Sequence, residues 1–200
     1  MSELIEMSSG AGDCPRKYET EIVLRDGSRV ILRPIRTDDV EQWLAFVSRL
    51  SIHSKYFRFH NVPREMGTDD AIRYCTVDYH NTFALVAEVT REQRREIVAI
   101  GRYYRLPGKP SAEVALAVDD IYHGQGIGTK LLEWLAVVAF DNGITSFEAE
   151  VLAENEEMMT VFRECGFHVT SELKFGVYHV TFPIPRNGRN VEERGSLPSE

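Results

Sequence analysis

Between residues 18 and 184 the apolar positions follow two periods, and their succession predicts the elements. The segment YETEIVLRDGSRVILRPI holds two strand-like runs joined by Asp26-Gly27, a pair that tolerates the positive φ angles of a tight hairpin turn. Thr37 then reads as the cap of a helix with Asp38 and Asp39 in its first turn. Val40, Trp43, Leu44, Val47 and Leu50 follow at helical spacing, an amphipathic stripe facing a core. Residues 51–78 read as helical in pieces, including DDAIRYC, and NTFALVAEV and EIVAIGRYY read as two further strands. AEVALAV, residues 112–118, is a mostly apolar strand, long enough to lie inside a sheet. After a glycine-rich stretch, Ile127, Leu131, Leu135 and Val138 mark a helix that Asn142-Gly143 stops as a left-handed cap. SFEAEVL alternates Phe147, Ala149 and Val151 with Glu148 and Glu150, a strand by its period. NEEMMTVFREC is a short helix with Asn155 placed to cap it, and GFHVTSEL and KFGVYHVTF finish as strands. The order is hairpin, helices, two strands, then strand, loop, helix, strand, helix and two strands. It predicts a mixed α/β sandwich around one sheet. Residues 1–17 and 185–200 lack this patterning and are expected to be flexible tails around one domain, 18–184.

Composition narrows the class. Two hundred residues suffice for one domain with a single substantial core, and 43% hydrophobic with 27% charged residues is ordinary for a globular protein. A formal net charge of −8 argues against partners that need a basic face, so neither nucleic acid nor an anionic membrane surface is expected. Cys14, Cys75 and Cys165 are few, odd in number and widely spaced, unlike a redox motif, a metal site or a secreted disulfide framework. The start has no apolar core behind a basic end, and WLAVVAF is too short to span a bilayer. A cytoplasmic protein without a metal is the expectation.

The chemistry gathers at YHGQGIG, residues 122–128, between the strand 112–118 and the helix that follows. A glycine-rich loop entering a helix leaves several backbone N–H groups unpaired, and the helix dipole adds partial positive charge, so phosphate oxygens fit there. The missing side chains of Gly124, Gly126 and Gly128 would let a pyrophosphate approach the main chain. No GK[ST] follows, so this is not a Walker A loop. The glycines run GxGxG rather than GxGxxG, so it is not a Rossmann fingerprint either.

HGQGIG resembles the [Q/R]-x-x-G-x-[G/A] acetyl-CoA signature of the GNAT N-acetyltransferase superfamily, and AENEEMMTVFRECGF resembles its next motif, an Asn-led helix ending in Gly-Phe. The resemblance covers about residues 18–184. RDGSRVILRPIRTDDVEQWLAFVSRLSIHSKYFRF is similar to the acetyltransferase domain of bacterial protein lysine acetyltransferases that modify acyl-CoA synthetases. In that family the domain is commonly fused to a nucleotide-binding or ligase-like module, and here it is expected alone. The resemblance implies a GNAT fold, α/β (α+β), with a mixed, mostly antiparallel sheet and helices on both faces. It implies acetyl-CoA as co-substrate, bound by His123, Gly124, Gln125, Gly126, Ile127, Gly128 and Thr129. The pantetheine arm would pair with the strand at Leu116, Ala117 and Val118, where an N–H would face the thioester oxygen, and Asn155 would touch the cofactor while capping its helix. Two residues depart from the pattern. His123 stands where Gln or Arg is usual, and Phe162 where many members carry a tyrosine that protonates the departing thiolate. A thiol with a pKa near 8.5 can leave without that acid. Exposed basic side chains usually hold the 3′-phosphate and adenine, and the sequence assigns none.

Acetyl transfer needs a neutral amine, while a free lysine has a pKa of about 10.4, so a general base is useful. Glu113, in the strand before the loop, is the candidate; by resemblance it falls on the Glu that lysine acetyltransferases use. Among Ala112, Val114 and Ala115 its carboxylate is expected to sit in apolar surroundings. Asp119 and Asp120 read as the start of a turn, and Cys165 as core rather than an acyl carrier. The expectation is direct acetyl transfer to an amine, possibly a protein lysine on an acyl-CoA synthetase. A small amine such as a polyamine, or a CoA-binding regulatory module without turnover, stays open; a purely structural domain would leave YHGQGIG without a purpose.

Overall fold

The computed structural model describes residues 14–59 and 66–185. The expected tails therefore lie mostly outside the described residues, although a 3₁₀ turn, Arg16–Tyr18, overlaps the first of them.

Strands β1 (Thr20–Val23) and β2 (Arg29–Pro34) form the expected hairpin, with Gly27 at φ 85° in its turn. Helices α1 (Val40–Arg49), α2 (Ile52–Phe59) and α3 (Thr68–Cys75) follow, then β3 (Thr82–Arg91), β4 (Arg94–Arg105) and β5 (Ser111–Val118). Helix α4 (Ile127–Asp141) crosses over to β6 (Ser146–Leu152), and α5 (Glu156–Glu164) leads to β7 (Thr170–Lys174) and β8 (Val177–Pro183). Among the described residues these make one eight-stranded sheet in the order β1-β2-β3-β4-β5-β6-β8-β7, antiparallel except for the β5–β6 pair. That pair is parallel because a helix joins it.

Both faces of the central strands are covered, which is why FALVAEV reads as a nearly continuous apolar run. Phe83, Leu85 and Ala87 of β3 face the α4 side, with Val114 and Leu116 of β5. Ala84 and Val86 face the other side, with Trp43 and Phe46 of α1 and Ala71 of α3. Gly101 of β4 lets α4 come close, since a Cβ there would lie 2.9 Å from Leu135 Cδ1.

The N-terminus of α1 differs from the expectation. Thr37 is not its cap; Thr37–Asp39 form a 3₁₀ turn before it. The Asp39 carboxylate accepts from the Arg36 N–H at 2.8 Å and from both terminal nitrogens of Arg33 at 2.8 Å. Arg33 also donates to Glu88 of β3, at 2.7 and 3.0 Å. All three side chains are buried, and each charge in this triad is paired.

Candidate functional site

Strands β5 and β6 stay paired for three residues, Ser111 to Ser146, Ala112 to Phe147 and Glu113 to Glu148. Beyond Glu113 they part. Val114–Val118 remain paired with β4, while Ala149–Leu152 pair with β8. The opening is a cleft of about 360 Å³. One wall is β5, the opposite wall is β6 with α5, and the glycine loop closes its outer end. Helix α2 lies against β5 and adds Ser54, Phe57 and Arg58 to the lining.

Alternation along β5 sorts its residues between the two faces. Ala112, Val114 and Leu116 point into the core beneath α4, so Glu113, Ala115 and Ala117 point to the face that carries α2. Glu113 lines the cleft at its closed end and is exposed, so the expected apolar surroundings are not found. Opposite it on β4 stands Tyr104, whose hydroxyl accepts from the buried Arg102 at 2.7 Å. Arg58 belongs to this end as well. Burial and the Arg102 guanidinium push it below its ordinary pKa, against the pull of Tyr74, Tyr104 and Glu113.

At the other end, Asp119 and Asp120 begin a turn. The buried Asp119 carboxylate accepts from Arg49 Nε at 2.9 Å. Asp120 anchors α2 by accepting from the Ser51 N–H at 3.0 Å and from the Ser51 and Ser54 hydroxyls at 2.7 and 2.8 Å. Burial would raise the Asp120 carboxyl, but these bonds and the nearby His123 outweigh it and hold the group below the ordinary carboxylate range.

The three loop glycines serve two ends. Gly124 and Gly126 adopt φ 72° and 87°, backbone that other residues rarely take. Gly128 lines the cleft too, but a Cβ there would lie 3.1 Å from Val161 Cγ2, so its absence also lets α4 approach α5. Ile127 is buried, Thr129 lines the cleft, and no acidic residue occupies the first turn of α4. Gln125 is not among the lining residues, and its carbonyl accepts the Arg25 N–H at 3.3 Å.

His123 spans the opening. Its Nε2 lies 3.0 Å from the Val118 carbonyl and its Nδ1 2.9 Å from Glu157 on α5. The ring thus bridges the end of β5 and the first turn of α5. Asn155 lines the cleft and caps α5, accepting from the Met158 N–H at 3.0 Å. Phe162 is buried against Phe182, with ring centroids 5.4 Å apart, and touches the cleft from within the core. Cys165 is buried too, which raises its thiol pKa. Arg25, which sequence reasoning did not single out, also lines this end. Its side chain crosses from the β1–β2 turn to the glycine loop and to α5. Among the described residues no cluster of His, Cys, Asp and Glu is placed to hold a metal, and no helix is long and apolar enough to cross a membrane.

A parallel strand pair that parts beside a glycine loop, on a largely antiparallel sheet, is the acetyltransferase architecture. The Acetyltransferase (GNAT) domain family matches residues 29–168, and the chain belongs to that family and is an N-acetyltransferase. Among solved structures it is similar to the GNAT domain of S. lividans PAT, with a TM-score of 0.76 and 34% identity over 84% of this chain and 98% of that one. It is 31% identical to Acetyltransferase PA5475 of Pseudomonas aeruginosa over 72% of this chain and 77% of that protein. It is 33% identical to Acetyltransferase Pat of Mycolicibacterium smegmatis over 72% of this chain but 43% of that longer protein. GNAT domains use acetyl-CoA.

Proposed function

We propose that this chain transfers the acetyl group of acetyl-CoA directly to the side-chain amine of a protein lysine, with Glu113 as general base. The observation that carries the reading is one cleft that has Glu113 at its inner end and the glycine loop at its outer end. The open edge of β5 at Leu116, Ala117 and Val118 offers main-chain groups to an extended amide-bearing arm, and the N-terminus of α4 offers N–H groups to phosphate. The nitrogen attacks the thioester carbon, the C–N bond forms, and a β5 N–H steadies the negative oxygen. Glu113 takes the proton from the attacking nitrogen, and the C–S bond breaks. The thiolate leaves unaided by Phe162, which has no proton to give.

The protein-lysine acceptor is supported by the resemblance to bacterial protein lysine acetyltransferases and by the exposure of Glu113, which a long side chain on a macromolecule can reach. The test is thiol release from acetyl-CoA with a lysine-bearing acyl-CoA synthetase, in wild type and Glu113→Gln. Turnover is expected to fall by about 10²- to 10⁴-fold in the variant with CoA binding kept. Equal turnover would remove Glu113 from the mechanism. Mass spectrometry showing a modified metabolite and no modified protein would transfer the activity to small amines.

A further inference from the structure

Apart from Arg25, and His123 whose Nδ1 is paired with Glu157, the cleft end that would hold phosphate has no basic lining residue among the described residues. Lys130 in the first turn of α4 pairs with Glu133 at 2.8 Å and is not among the lining residues. Arg58 lies at the Glu113 end. The side facing α5 is acidic, since Glu157 and Glu164 both line the cleft. His123 already pairs with Glu157, and in a chain of net charge −8 the other carboxylate, Glu164, opposes an entering phosphate unless something offsets it.

Arg25 is placed to do so. Its Nη1 donates to the Gly124 carbonyl at 3.1 Å and its Nη2 to Glu164 at 2.8 Å. Its Nε lies 3.8 Å from where a Cβ on Gly126 would stand, so the guanidinium lies alongside the loop that feeds N–H groups into α4. Both members of the Arg25–Glu164 pair are solvent-exposed, 60% and 45%, so the pair is cheap to rearrange. A guanidinium can hold a phosphate through two parallel bonds, which a carboxylate partner occupies in the meantime.

Resting on the acetyl-CoA reading above, we propose that Arg25, supplied by the N-terminal hairpin, clamps the pyrophosphate of CoA, and that Glu164 holds this guanidinium until the phosphate displaces it. The arrangement makes the hairpin part of the cofactor site, and makes Glu164 an internal competitor for it.

Binding of three probes to the intact chain tests this: CoA and dephospho-CoA by calorimetry, and pantetheine by NMR titration. In Arg25→Gln, CoA and dephospho-CoA are expected to bind about tenfold or more weakly, with pantetheine unchanged. Glu164→Gln, which leaves the loop contact in place, is expected to tighten both nucleotides by about two- to threefold. Equal weakening of all three probes in Arg25→Gln would make Arg25 a prop for the loop and overturn the proposal. So would a loss confined to CoA, which would move the contact to the 3′-phosphate, or no tightening in Glu164→Gln. If the wild type bound none of the three, the acetyl-CoA reading itself would fall.

Discussion

Helices α4 and α2 flank the same cleft and are held in opposite ways. Helix α4 is apolar nearly all round; Leu131, Leu132, Leu135, Ala136, Val138 and Ala139 are buried between the sheet and its neighbours. Helix α2 is at most half-buried along its length. Its place is set by polar contacts at its first turn, where Asp120 receives Ser51 and Ser54, and by Phe57 and Arg58 at the cleft. Packing energy grows with buried apolar area, so the wall beside the glycine loop is fixed by the core. The wall beside Glu113 is tied down by polar bonds at one end and by half-buried contacts such as Phe59 with Tyr74 at the other. This is the division an enzyme needs when one ligand is constant and the other is a surface of a larger molecule.

The largest blow to this comparison falls on α4. Leu135→Ala removes a fully buried side chain beside Gly101 and should cost about 2–5 kcal/mol, read as a lower denaturant midpoint. An effect as small as that of a surface change would mean α4 is not the rigid wall. Asp120→Ala should cost about 1 kcal/mol globally, while protease cleavage within α2 rises several-fold. Acidification should act in the same way. The folded Asp120 carboxyl lies below its ordinary range, so its contribution is present at neutral pH and is lost as pH falls below about 4. Hydrogen exchange across α2 between pH 3 and 7 would show the tether fading, and a flat profile would separate it from Asp120. The smallest effect belongs to Ile52→Ser. Ile52 is 78% exposed on α2, and the change should stay within about 0.5 kcal/mol in a thermal melt.

What could be read in the chain follows the same divide. The Asp26-Gly27 hairpin, the strand–loop–helix around YHGQGIG and the Asn155 cap were legible, because each rests on neighbours in sequence. The general shape of the cleft was foreshadowed by the family resemblance. Thr37 was misread as a cap because Asp39, two residues on, is held by Arg33, which Glu88 pairs from 55 positions away. Gly128 lines the cleft, but its closeness to Val161 of α5 had no sign in the sequence. The expected apolar setting of Glu113 failed because strand alternation turns it away from the core that its sequence neighbours enter. Arg25 carried no signal at all, since Gly124 is 99 positions away and Glu164 139. Contacts of that span depend on the whole topology rather than on any window of the sequence.

The parting of β5 and β6 after three residues has a consequence for the folded chain as a whole. Beyond Glu113 and Glu148 the facing edges of β5 and β6 have no partner strand among the described residues. A ligand that lies in this seam acts as a borrowed strand, and the energy of filling the gap is added to the stability of the native state. At a hundred times its dissociation constant such a ligand contributes about 2.7 kcal/mol, a large part of the margin by which a domain stays folded. A ligand that fills the seam is therefore expected to raise the unfolding temperature in step with its concentration.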